Sequence, residues 1–194
     1  MVCLLTGLLG IVTSCGIQAD DGPRDVAVDD RSLTPADAVD ASEASGASRV
    51  YLVTPIETDA QRRLRSVQRD VQPRPAPLLE VLLDGPNATE AGAGMSTALP
   101  AGLQLLSTRP VGDVLFVDVS DEMTDLSGDL LILAVAQIVH TASEIDSVRA
   151  VRLRIEGHDL PWPRGDGKTA SGALTVYDYP GVVESAQPAY PAIP

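Results

Sequence analysis

The chain has 194 residues, of which 44% are hydrophobic, 21% charged and only 3% aromatic, and 27 acids against 14 bases give a formal charge of −13. That is enough for one ordinary domain with some tail, built on a core of Val, Leu, Ile and Ala rather than rings. The acidity excludes nucleic acid as a general partner and weighs against electrostatic docking on anionic lipid, since both need clustered cations; two His and two Cys without CxxC or HExxH spacing leave no metal site, and nothing calls for a cofactor.

Residues 1–14, MVCLLTGLLGIVTS, carry no charge, and their apolar run is far short of the ~20 residues that span a bilayer. They lead into Val12-Thr13-Ser14-Cys15-Gly16, which looks like a bacterial lipobox, where small residues admit the signal peptidase and the Cys thiol accepts a diacylglycerol. Residues 1–15 are therefore read as a lipoprotein signal peptide ending at the lipid-attachment residue Cys15, without the basic start usual for such signals. Cys3 leaves with the signal, so the mature chain is expected to hold no free thiol and no disulfide. The expected location is the outer face of the cytoplasmic membrane. Residues 16–48 carry eight acids and two arginines with few large apolar groups, which predicts a disordered acidic tether spanning roughly 30 Å.

From Arg49 the texture changes. Residues 49–54 form a short β-rich run closed by Pro55, and residues 64–71 a second, arginine-studded extended run. Residues 77–83 read as a short helix, begun by Pro77, stopped by Gly85 and barred from continuing by Pro86. After a Gly/Ala loop, residues 103–108 and 114–119 make a hairpin around Arg109-Pro110-Val111-Gly112-Asp113. Residues 125–142 form the long helix, with Asp125 or Ser127 as N-cap, and residues 148–155 the closing strand, with Val151, Leu153 and Ile155 on one face and Arg152 and Arg154 on the other. The order β, β, α, β, β, α, β predicts a single small α/β domain at 49–184, a mixed sheet with two helices on one face plus a C-terminal hairpin at Pro161-Trp162-Pro163. Residues 185–194 are a Pro-rich flexible tail.

In this layout the chain resembles the GerMN domain of sporulation and germination proteins, found in lipoproteins of Gram-positive bacteria and actinobacteria. LEVLLDGP at residues 79–86 looks like the family's LL-x-GP helix ending, and STALPAG at 96–102 like its S-x-I/L-P-x-G turn. VLFVDVS at 114–120 resembles its V-x-V-D-L/V-S strand, and AQIVHT at 136–141, followed by residues 148–157, its A-Q-I/L-V-x-T helix and closing V-x-x-V-x-x-x-x-x-G strand. The match covers most of residues 50–157. It implies a fold akin to ring-building domains of secretion and sporulation assemblies, and no enzymatic activity. Asp118, between Val117 and Val119, points off the apolar face and suits a turn-bonding or capping role better than catalysis.

Chemistry finds little purchase. No GxSxG elbow or Ser-x-x-Lys occurs, and His140 in the long helix reads as a packing or surface residue rather than a base. Asn87-Ala88-Thr89 fits a glycosylation sequon, which carries little weight in a bacterial lipoprotein. Two features remain. Arg62, Arg63, Arg65, Arg69 and Arg74 stand against a single Asp70, either as a docking face for an anionic partner or, ahead of that, as the charged face of an edge strand that discourages aggregation. The run 130–136, LLILAVA, is apolar all round its helix and must be covered by the second helix, by the hairpin with Trp162 or by another subunit, which would make a homo-oligomer. The reading is a non-enzymatic lipid-anchored envelope protein whose domain is an interaction or scaffold module. Its partner is an envelope protein that the sequence does not name, or alternatively a wall polymer, either peptidoglycan or an anionic glycan.

Overall fold

The computed structural model describes residues 48–55 and 62–184. Cys15, residues 16–47 of the tether and the 185–194 tail lie outside the described residues.

The first two strands, β1 (Ser48–Val53) and β2 (Leu64–Arg69), pair antiparallel as a separate ribbon. Helix α1 (Pro75–Leu83) starts with Pro75 in its first turn, where the missing N–H costs no helical bond, and stops at Gly85, whose φ of 77° only glycine adopts without strain. It buries Leu78, Leu79 and Leu82 along one side. The loop expected after it contains a one-turn helix, α2 (Ala88–Gly92). Its cause is a reciprocal cap: the Asn87 side chain accepts from the Glu90 N–H at 2.9 Å while Glu90 Oε2 accepts from the Asn87 N–H at 2.8 Å. The residues of the sequon are thus a helix start.

The main sheet has the order β3-β4-β5-β6, with β3 (Leu105–Val111), β4 (Val114–Val119), β5 (Ala150–Ile155) and the two-residue β6 (His158–Asp159). Here β4 and β5 are parallel and the other pairs antiparallel, so the sheet is mixed as expected. The hairpin turn is shorter than its composition suggests. β3 runs through Arg109 and Pro110 to Val111, leaving only Gly112 and Asp113 in the turn. Gly112 takes the left-handed φ of 61° that a two-residue hairpin wants, and Pro110 is tolerated because β3 is an edge strand. Leu106 is the extra residue of a bulge, 43% exposed.

Helix α3 (Gly128–Ala142) links β4 to β5 after a short 3₁₀ turn, Asp121–Asp125; of the predicted helix 125–142, Asp125 ends that turn and Leu126 and Ser127 are extended. Ser127 holds the N-cap position. On β4 and β5 every second residue is buried (Leu115, Val117 and Val119; Val151, Leu153 and Ile155), and α3 packs on this inner face with α1 beside it. All ten residues from Leu133 to Ala142 are buried. Away from the main sheet that apolar helix is covered by β1, by α1 and by β7 (Trp162–Pro163), which pairs with β8 (Thr169–Ala170) as the expected hairpin. Of the apolar run 130–136, Leu133 to Ala136 are covered in this way, whereas Leu130 is exposed and Leu131 and Ile132 are half-buried.

The C-terminal segment also closes the outer edge of β5. Val151 and Leu174 exchange two backbone bonds of 2.8 and 2.7 Å, and the indole N–H of Trp162 donates to the Leu153 carbonyl at 2.9 Å. Tyr179, 1% exposed, fixes the return by donating its hydroxyl to the Pro163 carbonyl at 2.9 Å.

Candidate functional site

Both long helices lie on the inner face, and among the described residues no element covers the outer face of the main sheet. Directly opposed residues share a face, so the register alone places Ser107, Asp118 and Arg154 in one row, Arg109, Phe116 and Arg152 in the next, and Val111, Val114 and Ala150 in the third. Phe116, the one phenylalanine of the chain, lies in the middle. The guanidinium carbons of Arg109 and Arg154 sit 4.7 and 4.8 Å from its ring centre, within the range of cation–π attraction. Arg152 and Arg154 both turn to Asp159 on β6, at 2.8 and 3.0 Å, and these two hydrogen bonds, Arg152's first, hold the Asp159 carboxyl well below the usual carboxylate range. Two guanidiniums thus share one carboxylate, and among the described residues Arg109 has no ion pair.

Asp118 does what its position off the apolar face suggests. Its Oδ1 accepts from the Gly157 N–H at 2.8 Å and so holds the tight turn that joins β5 to β6. In that turn Glu156 is the one non-glycine residue with a left-handed φ, at 49°.

The polar residues of the long helix serve the backbone of β1. Gln137, wholly buried, donates its Nε2 to the Tyr51 carbonyl at 2.8 Å and accepts the Ala98 N–H on Oε1 at 2.6 Å. Thr141, one turn on, accepts the Tyr51 N–H at 3.1 Å. Further along the same edge Val53 and Ser96 exchange backbone bonds of 2.8 and 3.0 Å. On the side of β1 away from β2, Tyr51 and Val53 are thereby satisfied without another strand.

His140 packs its ring against Tyr51, 5.2 Å between centroids, and burial alone pushes its pKa down to about 4. Its Nε2 has no partner among the described residues. Burial likewise pushes the Tyr51 phenol up to about 12, helped by its hydrogen bond to Glu144. A buried neutral imidazole enclosed by an aromatic ring is a packing group. Among the described residues no cluster of His, Cys, Asp and Glu could hold a metal ion.

The five arginines between 62 and 74 are not one set. Arg69, its side chain 13% exposed, is engaged by Glu90 through two bonds of 2.6 and 2.7 Å and also donates to the Gly85 carbonyl. Burial pushes the Glu90 carboxyl up, but the Arg69 guanidinium and the Asn87 N–H together bring it below its ordinary value. Arg65 pairs with Glu184 at 2.6 Å. Arg62, Arg63 and Arg74 are exposed, and Arg62 lies on the rim of a cleft of about 580 Å³ floored by Leu130, Ile132, Leu133 and Val182. The open face, with Arg109, Phe116, Arg152 and Arg154, is not among the sites read from the sequence. Its signal was the alternation of β5, which already separates Arg152 and Arg154 from the apolar residues; what was lacking was the two-residue turn that sets Arg109 opposite Phe116.

A family of sporulation and spore germination, Germane, matches residues 49–161, more than half of the chain. No curated protein matches this chain. Among solved structures, the tandem GerMN domains of the sporulation protein GerM from Bacillus subtilis align with a TM-score of 0.54 at 15% identity, over 71% of this chain and 47% of that one. This chain therefore spans about half the length of the tandem protein. The first GerMN domain of the same protein aligns with a TM-score of 0.51 at 19% identity, over 66% of this chain and 96% of that domain, a likeness of fold. With the expected motifs in place on the expected elements, the chain belongs to the Germane family and carries a GerMN domain.

Proposed function

We propose that this chain is a non-enzymatic, lipid-anchored envelope protein whose GerMN domain serves as an interaction or scaffold module in envelope or sporulation-type assembly. The observation that carries this reading is the use of the family's polar motif residues. Gln137 and Thr141 satisfy the edge of β1, and Asp118 holds the Gly157 turn, so each is taken up by backbone rather than aimed at a substrate. The membrane address in this reading is the lipid on Cys15; among the described residues no helix is long and apolar enough to cross a membrane.

Two measurements test it. Cys15→Ala should move the protein from the membrane to the soluble fraction, and retention of the variant would sink the anchor. Gentle crosslinking of envelopes with the full-length tagged chain, read by mass spectrometry, should return an envelope protein in stoichiometric amount. Wall fragments alone would replace the scaffold reading with a glycan binder.

A further inference from the structure

The strand edges of the domain are occupied or blunted. Ser96, Gln137 and Thr141 cover β1, and β2 meets Val182 to Glu184 at Leu64. Leu174 and Trp162 cover β5, while β3 carries Pro110 and β6 has only two residues. A partner strand has no long clean edge to join. What the described residues leave uncovered is the outer face of the main sheet.

Resting on the reading of the domain as an interaction module, we infer that the face formed by Arg109, Phe116, Arg152 and Arg154 docks an acidic segment of a partner polypeptide. Charge complementarity names the occupant. Three guanidiniums face two carboxylates, Asp159 shared by Arg152 and Arg154 and Asp118 turned to the Gly157 N–H, so the face keeps a surplus of one positive charge on a chain of net −13. Planar guanidiniums held over a ring are pre-oriented forks, and a fork matches a carboxylate in two-pronged fashion. The row of Val111, Val114 and Ala150 beside Phe116 offers apolar contact to the side chains of a polypeptide. A polyphosphate chain has no such groups to bury. Arginine and aromatic residues at the centre of a patch are also the composition of protein-interface anchors. Asp159 then acts as an internal competitor, holding two of the forks until a partner carboxylate shares or replaces it.

The test uses the full-length lipoprotein in detergent, titrated with a short labelled peptide that alternates Glu with Val around one Phe. A peptide with Lys for Glu and inorganic polyphosphate serve as the two other probes. The Glu peptide is expected to bind in a salt-sensitive manner, to lose about tenfold in affinity in Arg109→Gln and in Arg154→Gln, and to gain in Asp159→Asn. Equal binding of the Lys peptide, preference for polyphosphate, unchanged affinity in both arginine variants, or no gain in Asp159→Asn overturns the assignment. Arg109 is exposed, so its variant keeps the fold and reads the face alone. Envelope crosslinking separates the two levels. If wild type and Arg109→Gln capture the same protein equally, the module stands and the face falls; if wild type captures none, the module itself falls.

Discussion

The side-chain amide of Gln137 donates to the carbonyl of Tyr51 at 2.8 Å, joining the middle of α3 to the middle of β1 across 86 residues of sequence. The same amide accepts the Ala98 N–H, and Thr141 accepts the Tyr51 N–H. One helix turn thus acts as a strand: it meets donors and acceptors at spacing set by the i, i+4 repeat instead of by a ladder. In this chain the A-Q-x-x-x-T pattern thus uses both its amide and its hydroxyl.

Gln137→Leu keeps the volume and removes both bonds, stranding the Tyr51 carbonyl and the Ala98 N–H in a dry site. The expected loss is ~2–4 kcal/mol, because two buried backbone groups lose their partners. Thr141→Val strands one group and should cost ~1–2 kcal/mol. Urea unfolding measures both, and a Gln137→Leu variant as stable as wild type would mean that β1 finds other partners.

The β5–β6 turn makes a prediction of opposite sign. Glu156 sits at φ 49°, a conformation disfavoured for any residue with a Cβ, and the turn is held by the Asp118 carboxylate on the Gly157 N–H. Glu156→Gly should stabilise the domain by up to ~1 kcal/mol by relieving that strain, whereas Asp118→Ala should cost ~1 kcal/mol. Thermal unfolding of the two single variants would show melting points moving in opposite directions.

The motifs made the two longer helices, the mixed sheet and the inner face legible, because alternation on β4 and β5 and the apolar run of α3 each report burial directly. Three things were not legible for stated physical reasons. The turn between β3 and β4 was overestimated because Pro110 reads as a breaker unless its strand is known to be an edge. Helix α2 was missed because five residues give no periodicity, although Asn87-x-x-Glu90 is a capping signature. The arginine cluster looked uniform because charge in sequence does not reveal partners: Glu90 lies 21 residues from Arg69, and Glu184 lies 119 residues from Arg65.

That difference separates the arginines experimentally. Arg69→Gln leaves Glu90 largely buried without its cation and should cost ~2–4 kcal/mol, since removing one member of a buried pair strands the other. Arg63→Ser, on an exposed side chain, should lie within ~0.5 kcal/mol of wild type. Denaturant titration of the two, side by side, distinguishes fold from surface. Any envelope phenotype of Arg69→Gln is then read as a folding defect, whereas one in Arg62, Arg63 or Arg74 variants reports on a partner.

His140 gives the domain a pH dependence of definite sign. Its folded pKa of about 4 lies below the ordinary value of 6.5, so between these values the unfolded chain binds the proton and the folded one does not. Its contribution is fully present above pH 6.5 and is lost as the pH falls towards 4, by roughly 3 kcal/mol over the whole window. Carboxylates such as Glu90 titrate mostly at lower pH, and the other histidine, His158, is exposed on β6. The interval from about pH 6.5 to about pH 5 therefore belongs to His140, and the expected loss across it is about 2 kcal/mol. His140→Leu replaces a ring whose Nε2 has no partner with an apolar side chain, so it should leave stability at neutral pH nearly unchanged and flatten the slope. Urea unfolding at a series of pH values reads both quantities. A wild-type curve already flat over that interval would mean that the imidazole reaches solvent or a partner when protonated, and that its enclosure beside Tyr51 opens on the timescale of the measurement.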